Sequence, residues 1–269
     1  MAKKEKKQKK QKEEYVELTG FFGDADDYHV YHMTKVDYLL AYAIGFALGV
    51  VVIYVFFRSI LFSAIVGAVC ALKTPSIYRN YKKKKRLKEL RLQFKDLMES
   101  LTSSYSTGKN TPGAFLDAYE DLKSIYGEQS DIVKEIKIIC SGLHNNFNIE
   151  QLLLDFAARS DIDDIASFAN VFEVCNRQGS DLKKIVSDTR DIINDKIEIE
   201  MEIDTMLAGN KNELYIMMVM PLVIVLSLNS MGTGTIVANT PMNVIIKIVC
   251  LGIFGVAFII GRKITDIKI

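Results

Sequence analysis

The sequence predicts an all-α, polytopic membrane protein with four transmembrane helices and one cytoplasmic helical bundle. Three observations predict it. Val36–Phe57, Ser59–Leu72, Leu214–Met231 and Met242–Gly261 are almost free of charge, and a bilayer accounts for such runs because about 20 apolar residues span its hydrocarbon core. Lysine and arginine crowd one set of connecting segments and avoid the other. The roughly 140 residues between the second and third stretches place apolar residues at spacings of three and four, the period of a helix face.

The N-terminus reads MAKKEKKQKKQK. Its charged region is too long for a secretory signal and no apolar core follows until Val36, so the first span is expected to be an uncleaved anchor. Lys73, Arg79, Lys82, Lys83, Lys84, Lys85, Arg86, Lys88 and Arg91 follow the second stretch, and Arg262 and Lys263 follow the fourth. Only Arg58 lies between the first two, and Asn229–Pro241 has neither lysine nor arginine. The positive-inside rule then places the N-terminus, the central segment and the C-terminus of this multi-pass protein in the cytoplasm. The expected organisation is a basic cytoplasmic tail (1–35), a hairpin of two spans (36–72), a cytoplasmic all-helical domain (73–213), a second hairpin (214–261) and a short cytoplasmic tail (262–269).

The second stretch is short. At 1.5 Å per residue its apolar run covers only ~20 Å, against a core of ~30 Å. Tilt, or snorkelling by Arg58 and Lys73, closes that gap. One helix over Val36–Leu72 would be an apolar rod of roughly 55 Å, which suits no bilayer, so a break near Arg58 is expected.

A net charge of +1 conceals a split. From Thr111 to Glu213 acids outnumber bases roughly two to one, whereas the basic segments flank spans. Membrane lipids with anionic headgroups are therefore the expected partner of those segments, and no nucleic acid is expected. Cys70, Cys140, Cys175 and Cys250 form no CxxC pair or zinc spacing and read as reduced packing residues.

Six helices are expected in the central domain. Lys82–Tyr105 carries Leu87, Leu90, Phe94, Leu97, Met98 and Leu101 on one face, and Ser103–Asn110 breaks it. Thr111 as cap and Pro112 at the first helical position open the second, with Phe115, Leu116, Tyr119 and Leu122 inward and Gly127 as its stop. Ser130 and Asp131 open the third, with Ile132, Val133, Ile136, Ile139 and Cys140 inward, and Gly142 and Asn145–Asn148 end it. Asn148 caps the fourth (Leu152, Leu153, Phe156), and Asp161 the fifth (Ile165, Phe168, Ala169, Phe172, Cys175). Gly179 is a natural left-handed C-terminal residue, and Ser180–Asp181 cap the sixth. The segment Ile197–Ile203 alternates with period two, as a strand does. It lies in a run without Gly or Pro from Asp181 to Ala208, which favours helix. That helix runs on into the third apolar stretch, a rod near 70 Å from Asp181 to Leu228 that Gly209 and Pro221 can kink.

No constellation points to catalysis. Ser106–Thr111 (STGKNT) lacks the early glycine and the hydroxyl directly after the lysine that a phosphate loop needs, and no strand precedes it. It reads as a helix-linking turn. His29 and His32, near Asp26 and Asp27, offer at most a weak metal site; Tyr28, Tyr31 and Tyr38 around them read as interfacial tyrosines with solvated neighbours. Lys247 lies within the fourth stretch, about five residues from its outer end, and can snorkel; a transport role is the alternative. No catalytic, cofactor-binding or metal residue is expected, and no enzyme activity.

From Asn148 to Pro221 the order of features resembles the type II secretion system protein F domain, and in particular the TadB- and TadC-type platform proteins of Tad (Flp) pilus assembly. The features are a helix of FA-x-V type (Phe168–Val171), a basic-x-Gly turn with a following leucine (Arg177, Gly179, Leu182), a long charged helix (Asp181–Ala208) and a proline early in the next span (Pro221). The earlier helices Leu87–Leu101 and Pro112–Leu122 fit the same order, so the resemblance covers about residues 36–261. It departs in the shorter chain, the Lys-rich tail and Ser180 where a second glycine is often found. The resemblance implies a non-hydrolysing, multi-pass platform in the cytoplasmic (inner) membrane at the base of a pilus or secretion machine. It implies contact with a cytoplasmic assembly ATPase, action on pilin subunits, and self-association or pairing with a second platform subunit. Arg177, Gly179, Leu182 and Pro221 would then be structural or coupling residues. A small transporter or channel, and a membrane-anchored regulatory domain, are the competing readings.

Overall fold

The computed structural model describes residues 17–23, 25–178, 182–230 and 241–265. All regular structure among them is helical: α1 (Lys35–Phe57), α2 (Ile60–Ser106), α3 (Thr111–Tyr126), α4 (Asp131–His144), α5 (Ile149–Ser160), α6 (Asp163–Gln178), α7 (Leu182–Ser230) and α8 (Pro241–Thr265). Three of these, α1, α2 and α8, contain stretches long and apolar enough to cross a membrane. Leu214–Ser230 forms the C-terminal part of α7, with Tyr215, Ile216, Met217, Val219, Val223 and Ile224 exposed. The chain divides into two compact units: the described residues up to His32 with Tyr81–Asn194, and Met33–Asn80 with the described residues from Asp195 on.

In the second unit, Thr34 and Asp37 form a reciprocal capping box at the start of α1, which satisfies two orphan donors. The helix stops where expected. Arg58 adopts the left-handed conformation (φ 49°) and its N–H donates to the Tyr54 carbonyl at 2.9 Å. Two residues later α2 begins and packs back on α1 through small side chains. A Cβ on Gly49 would sit 2.9 Å from the Gly67 Cα, and one on Gly67 would sit 2.7 Å from Val50 Cγ2. Ala41 and Ala71 are buried nearby. Apolar tails give no hydrophobic drive between helices, so this close backbone approach, with its dispersion contacts, holds the hairpin.

The second apolar stretch and the first cytoplasmic helix, expected as separate elements, are one 47-residue helix. Pro75 removes one backbone donor and crowds the carbonyl a turn earlier, yet the helix continues. Thr74 Oγ1 donates to the Cys70 carbonyl at 3.0 Å, and the Lys-rich run beyond is built of good helix formers.

The first unit has a single apolar core. Leu90, Phe94, Leu97, Met98 and Leu101 of α2 meet Ala114, Phe115, Ala118 and Leu122 of α3, and Ile132, Val133, Ile136 and Ile139 of α4. Leu152, Leu153 and Phe156 of α5 join them, with Ile165, Phe168, Ala169 and Phe172 of α6. Phe94 packs edge-on to Phe168 (5.8 Å) and Phe156 (6.4 Å). Each such aromatic contributes about 1.5–3 kcal/mol by leaving water.

Several expected details shift. The cap of α3 is Asn110, whose side chain accepts from Gly113 N–H, so Thr111 and Pro112 are both inside the helix. Leu116 points outward at 55% exposure, because Ala114 and Ala118 complete the inner face. Gly142 does not end α4. A Cβ there would meet Leu152 Cδ1 at 2.6 Å, so the glycine lets α4 and α5 touch. Asp161 is the left-handed C-cap of α5 (φ 55°), not the N-cap of α6. Gly127 ends α3 with φ 78°, as expected. The stretch Ile197–Ile203 is helical within the 49-residue α7, about 74 Å long at 1.5 Å per residue.

Candidate functional site

The densest chemistry in the first unit lies where the segment before α1 packs on α2, α4 and α5. Tyr28 and Tyr31 were expected at the membrane interface, with their polar neighbours solvated. Instead Asp27 and Tyr28 are 4% and 2% exposed. Asp27 folds the segment on itself: one carboxylate oxygen accepts from Leu18 N–H (2.8 Å), the other from His29 N–H (2.8 Å) and the His29 ring (2.9 Å). Tyr28 N–H donates to the Arg159 carbonyl at 3.0 Å, and Tyr28 Oη donates to Glu135 Oε1 at 2.9 Å.

Arg159 is 1% exposed and nearly saturated. Its guanidinium donates to both Glu135 oxygens (2.8 and 2.7 Å), to Asp155 Oδ2 (2.9 Å) and to the Asp26 carbonyl (3.0 Å). Arg86 of α2 donates twice to Asp131 and once to Asp26, each at 2.7 Å, and lies over the Tyr28 ring at 4.6 Å. Burial pushes the Glu135 carboxyl up, and the Arg159 and Tyr28 donors pull against that rise. Burial also raises the Tyr28 phenol, reinforced by Glu135 and Asp131, so it serves as a donor.

This arrangement joins elements. It holds no nucleophile–base pair, and no group of His, Cys, Asp or Glu suited to a metal ion occurs among the described residues. His29 and His32 are drawn apart, to Asp27 and to Glu17 (2.7 Å). The turn STGKNT links α2 to α3. Gly108 there has φ 80°, and Lys109 bonds Asp117, whose carboxyl that donor holds below its usual value.

Arg177 lies in the last turn of α6, paired with Glu173 at 2.8 Å and largely exposed. Leu182 opens α7 and is half-buried. Pro221 lies inside α7, in the second unit. Gly179, Ser180 and Asp181 lie outside the described residues. Lys247 Nζ sits 5.9 Å from the Phe57 ring centroid, beside the end of α1.

Glu135 and Arg159 carried a readable signal. Each sits on the helix face that apolar periodicity assigns to the core, Glu135 between Ile132 and Ile139 and Arg159 three residues after Phe156. A charge there needs a buried partner. Tyr28 carried none, since nothing near it in sequence has a helical or strand period. No family model, curated protein or solved structure matches the chain.

Proposed function

We propose that this chain is an inner-membrane platform of a type IV (Tad/Flp-like) pilus or type II secretion machine, coupling a cytoplasmic assembly ATPase to pilin insertion. One observation carries the reading: α7 passes without interruption from buried contacts in the helical unit (Val186, Ile193) into the apolar run from Leu214. A continuous helix transmits displacement along its axis, where a linker would absorb it. In this reading Leu214–Met231 is a fourth span, both termini and the single F-type domain are cytoplasmic, and the basic segments rest on anionic lipid. Pilin and a second platform subunit, or a second copy, are the membrane partners. The charged contents of the first unit join its helices to one another. Lys247 beside Phe57 agrees with a snorkelling lysine better than with an ion path.

The test is a deletion strain complemented with wild type or with a variant carrying a four-residue Gly-Ser insertion after Ala208. Immunoblots of sheared surface filaments, with membrane-fraction levels as control, read the outcome. Filaments restored by wild type and lost with the insertion support coupling through α7. Full assembly by the insertion variant, or normal filaments in the deletion strain, overturns the reading.

A further inference from the structure

We propose that residues 17–32 are a releasable strap, seated by charge over the Glu135–Arg159 pair, which opens while the helices beneath it stay folded. The strap has its own internal order. Asp27 gathers Leu18 and His29, Ala25 N–H reaches the Thr19 carbonyl at 3.4 Å, and Gly20 turns with φ 66°. A Cβ on Gly20 would stand 2.6 Å from Ala25 Cβ and 3.1 Å from Arg159 Nε, so the strap lies directly on the guanidinium.

Its seat is polar. The strap meets the helices through Arg86–Asp26, Arg159 to the Asp26 carbonyl, Tyr28–Glu135, Tyr28 N–H to Arg159, and His29 Nε2–Asp161 at 3.5 Å. Among its described residues Tyr28 alone is a buried apolar body; Leu18, Phe21 and Phe22 are 40–50% exposed. Apart from Tyr28 and Ile162, the buried apolar residues of the first unit all belong to its helices. Segments with few buried apolar contacts open locally at far lower cost than the core around them.

The pair underneath tolerates opening. Glu135, Arg159 and Asp155 all belong to α4 and α5, so their mutual bonds need nothing from the strap. Opening returns water to two charges whose desolvation opposes burial. The closed state is a dry, shielded pair; the open state is a wet one that keeps its bonds within α4 and α5 and gives up those to Tyr28 and Asp26. Two arrangements of one segment over an unchanged bundle make a switch.

Hydrogen–deuterium exchange on the full chain in detergent micelles tests this. Peptides over 17–32 should show measurable protection, yet exchange about 100-fold faster than peptides over 94–101 and 132–139, as expected for a sub-global opening. Tyr28→Phe keeps the ring and deletes the bond to Glu135; Asp26→Asn removes the charge that pairs with Arg86 and leaves the Arg86–Asp131 bonds in place. Each should raise strap exchange about tenfold, the typical weight of one hydrogen bond to a charged group, and leave the core peptides unchanged. Strap amides as slow as the core, strap amides as fast as an unstructured peptide, or variants that accelerate strap and core together would each overturn the proposal.

Discussion

Tyr28 Oη and Glu135 Oε1 stand 2.9 Å apart and 107 positions apart in sequence, in a hydrogen bond buried from water. The same carboxylate holds Arg159 in a fork. A buried pair of this kind is weak evidence for stability as a whole, but removing one partner strands the other charge. Arg159→Met should therefore destabilise the protein by about 3–5 kcal/mol, and the double variant Arg159→Met/Glu135→Leu should recover most of that loss. Thermal unfolding of the detergent-solubilised protein, followed by circular dichroism, reads both. A double variant no more stable than the single would show that the pair is not the source of the loss.

The Cys140 thiol is pushed from 9.0 up to about 11 by burial between α3 and α4, where Sγ approaches the Phe115 carbonyl at 3.5 Å. The thiolate is the nucleophile. A thiol raised that far holds about a 100-fold smaller thiolate fraction at pH 8 than in the unfolded chain. Iodoacetamide should thus alkylate Cys140 about 100-fold more slowly in folded than in denatured protein, measured by peptide mass spectrometry. The raised pKa contributes stability that is fully present below pH 9 and is lost as pH rises toward 11. Equal alkylation rates in the two states would contradict the burial.

The helices of the first unit were legible because their apolar spacing is regular: Leu90, Phe94, Leu97 and Leu101 read directly as an inner face, and all four are buried. The helix boundaries were less so. Asn110, Thr111 and Pro112 are three adjacent residues each fit for a helix start, and only the bond to Gly113 N–H shows that Asn110 caps. The length of α2 escaped because Pro75 and the change from apolar to basic composition both mimic an ending. The strap escaped entirely, because its contacts are long-range and polar and leave no period to count.

Topology has a direct test. If the basic segments face the cytoplasm, Ser124 in α3 lies inside and Ser59 at the α1–α2 break lies outside. In a cysteine-free background, Ser59→Cys should react with an impermeant maleimide on intact cells and Ser124→Cys only after permeabilisation. The reverse pattern would invert the orientation.

The hairpin of α1 and α2 makes the last prediction. Gly49 and Gly67 face each other at a distance that leaves no room for either Cβ. What a Cβ on Gly49 would strike is the Gly67 Cα, backbone that cannot rotate away as the end of a flexible side chain does. Gly49→Leu should therefore force the two helices apart, whereas Gly252→Leu on α8, where among the described residues no atom beyond its own helix lies within 4 Å of an added Cβ, should be accommodated. Interfaces of this kind depend on backbone approach, and a large side chain forfeits their dispersion contacts. The measurement is resistance of the membrane-embedded protein to added protease and to SDS. Gly49→Leu should lower both with insertion intact, and Gly252→Leu should match wild type. Equal resistance of the two variants would show that the small residues are not what holds the hairpin.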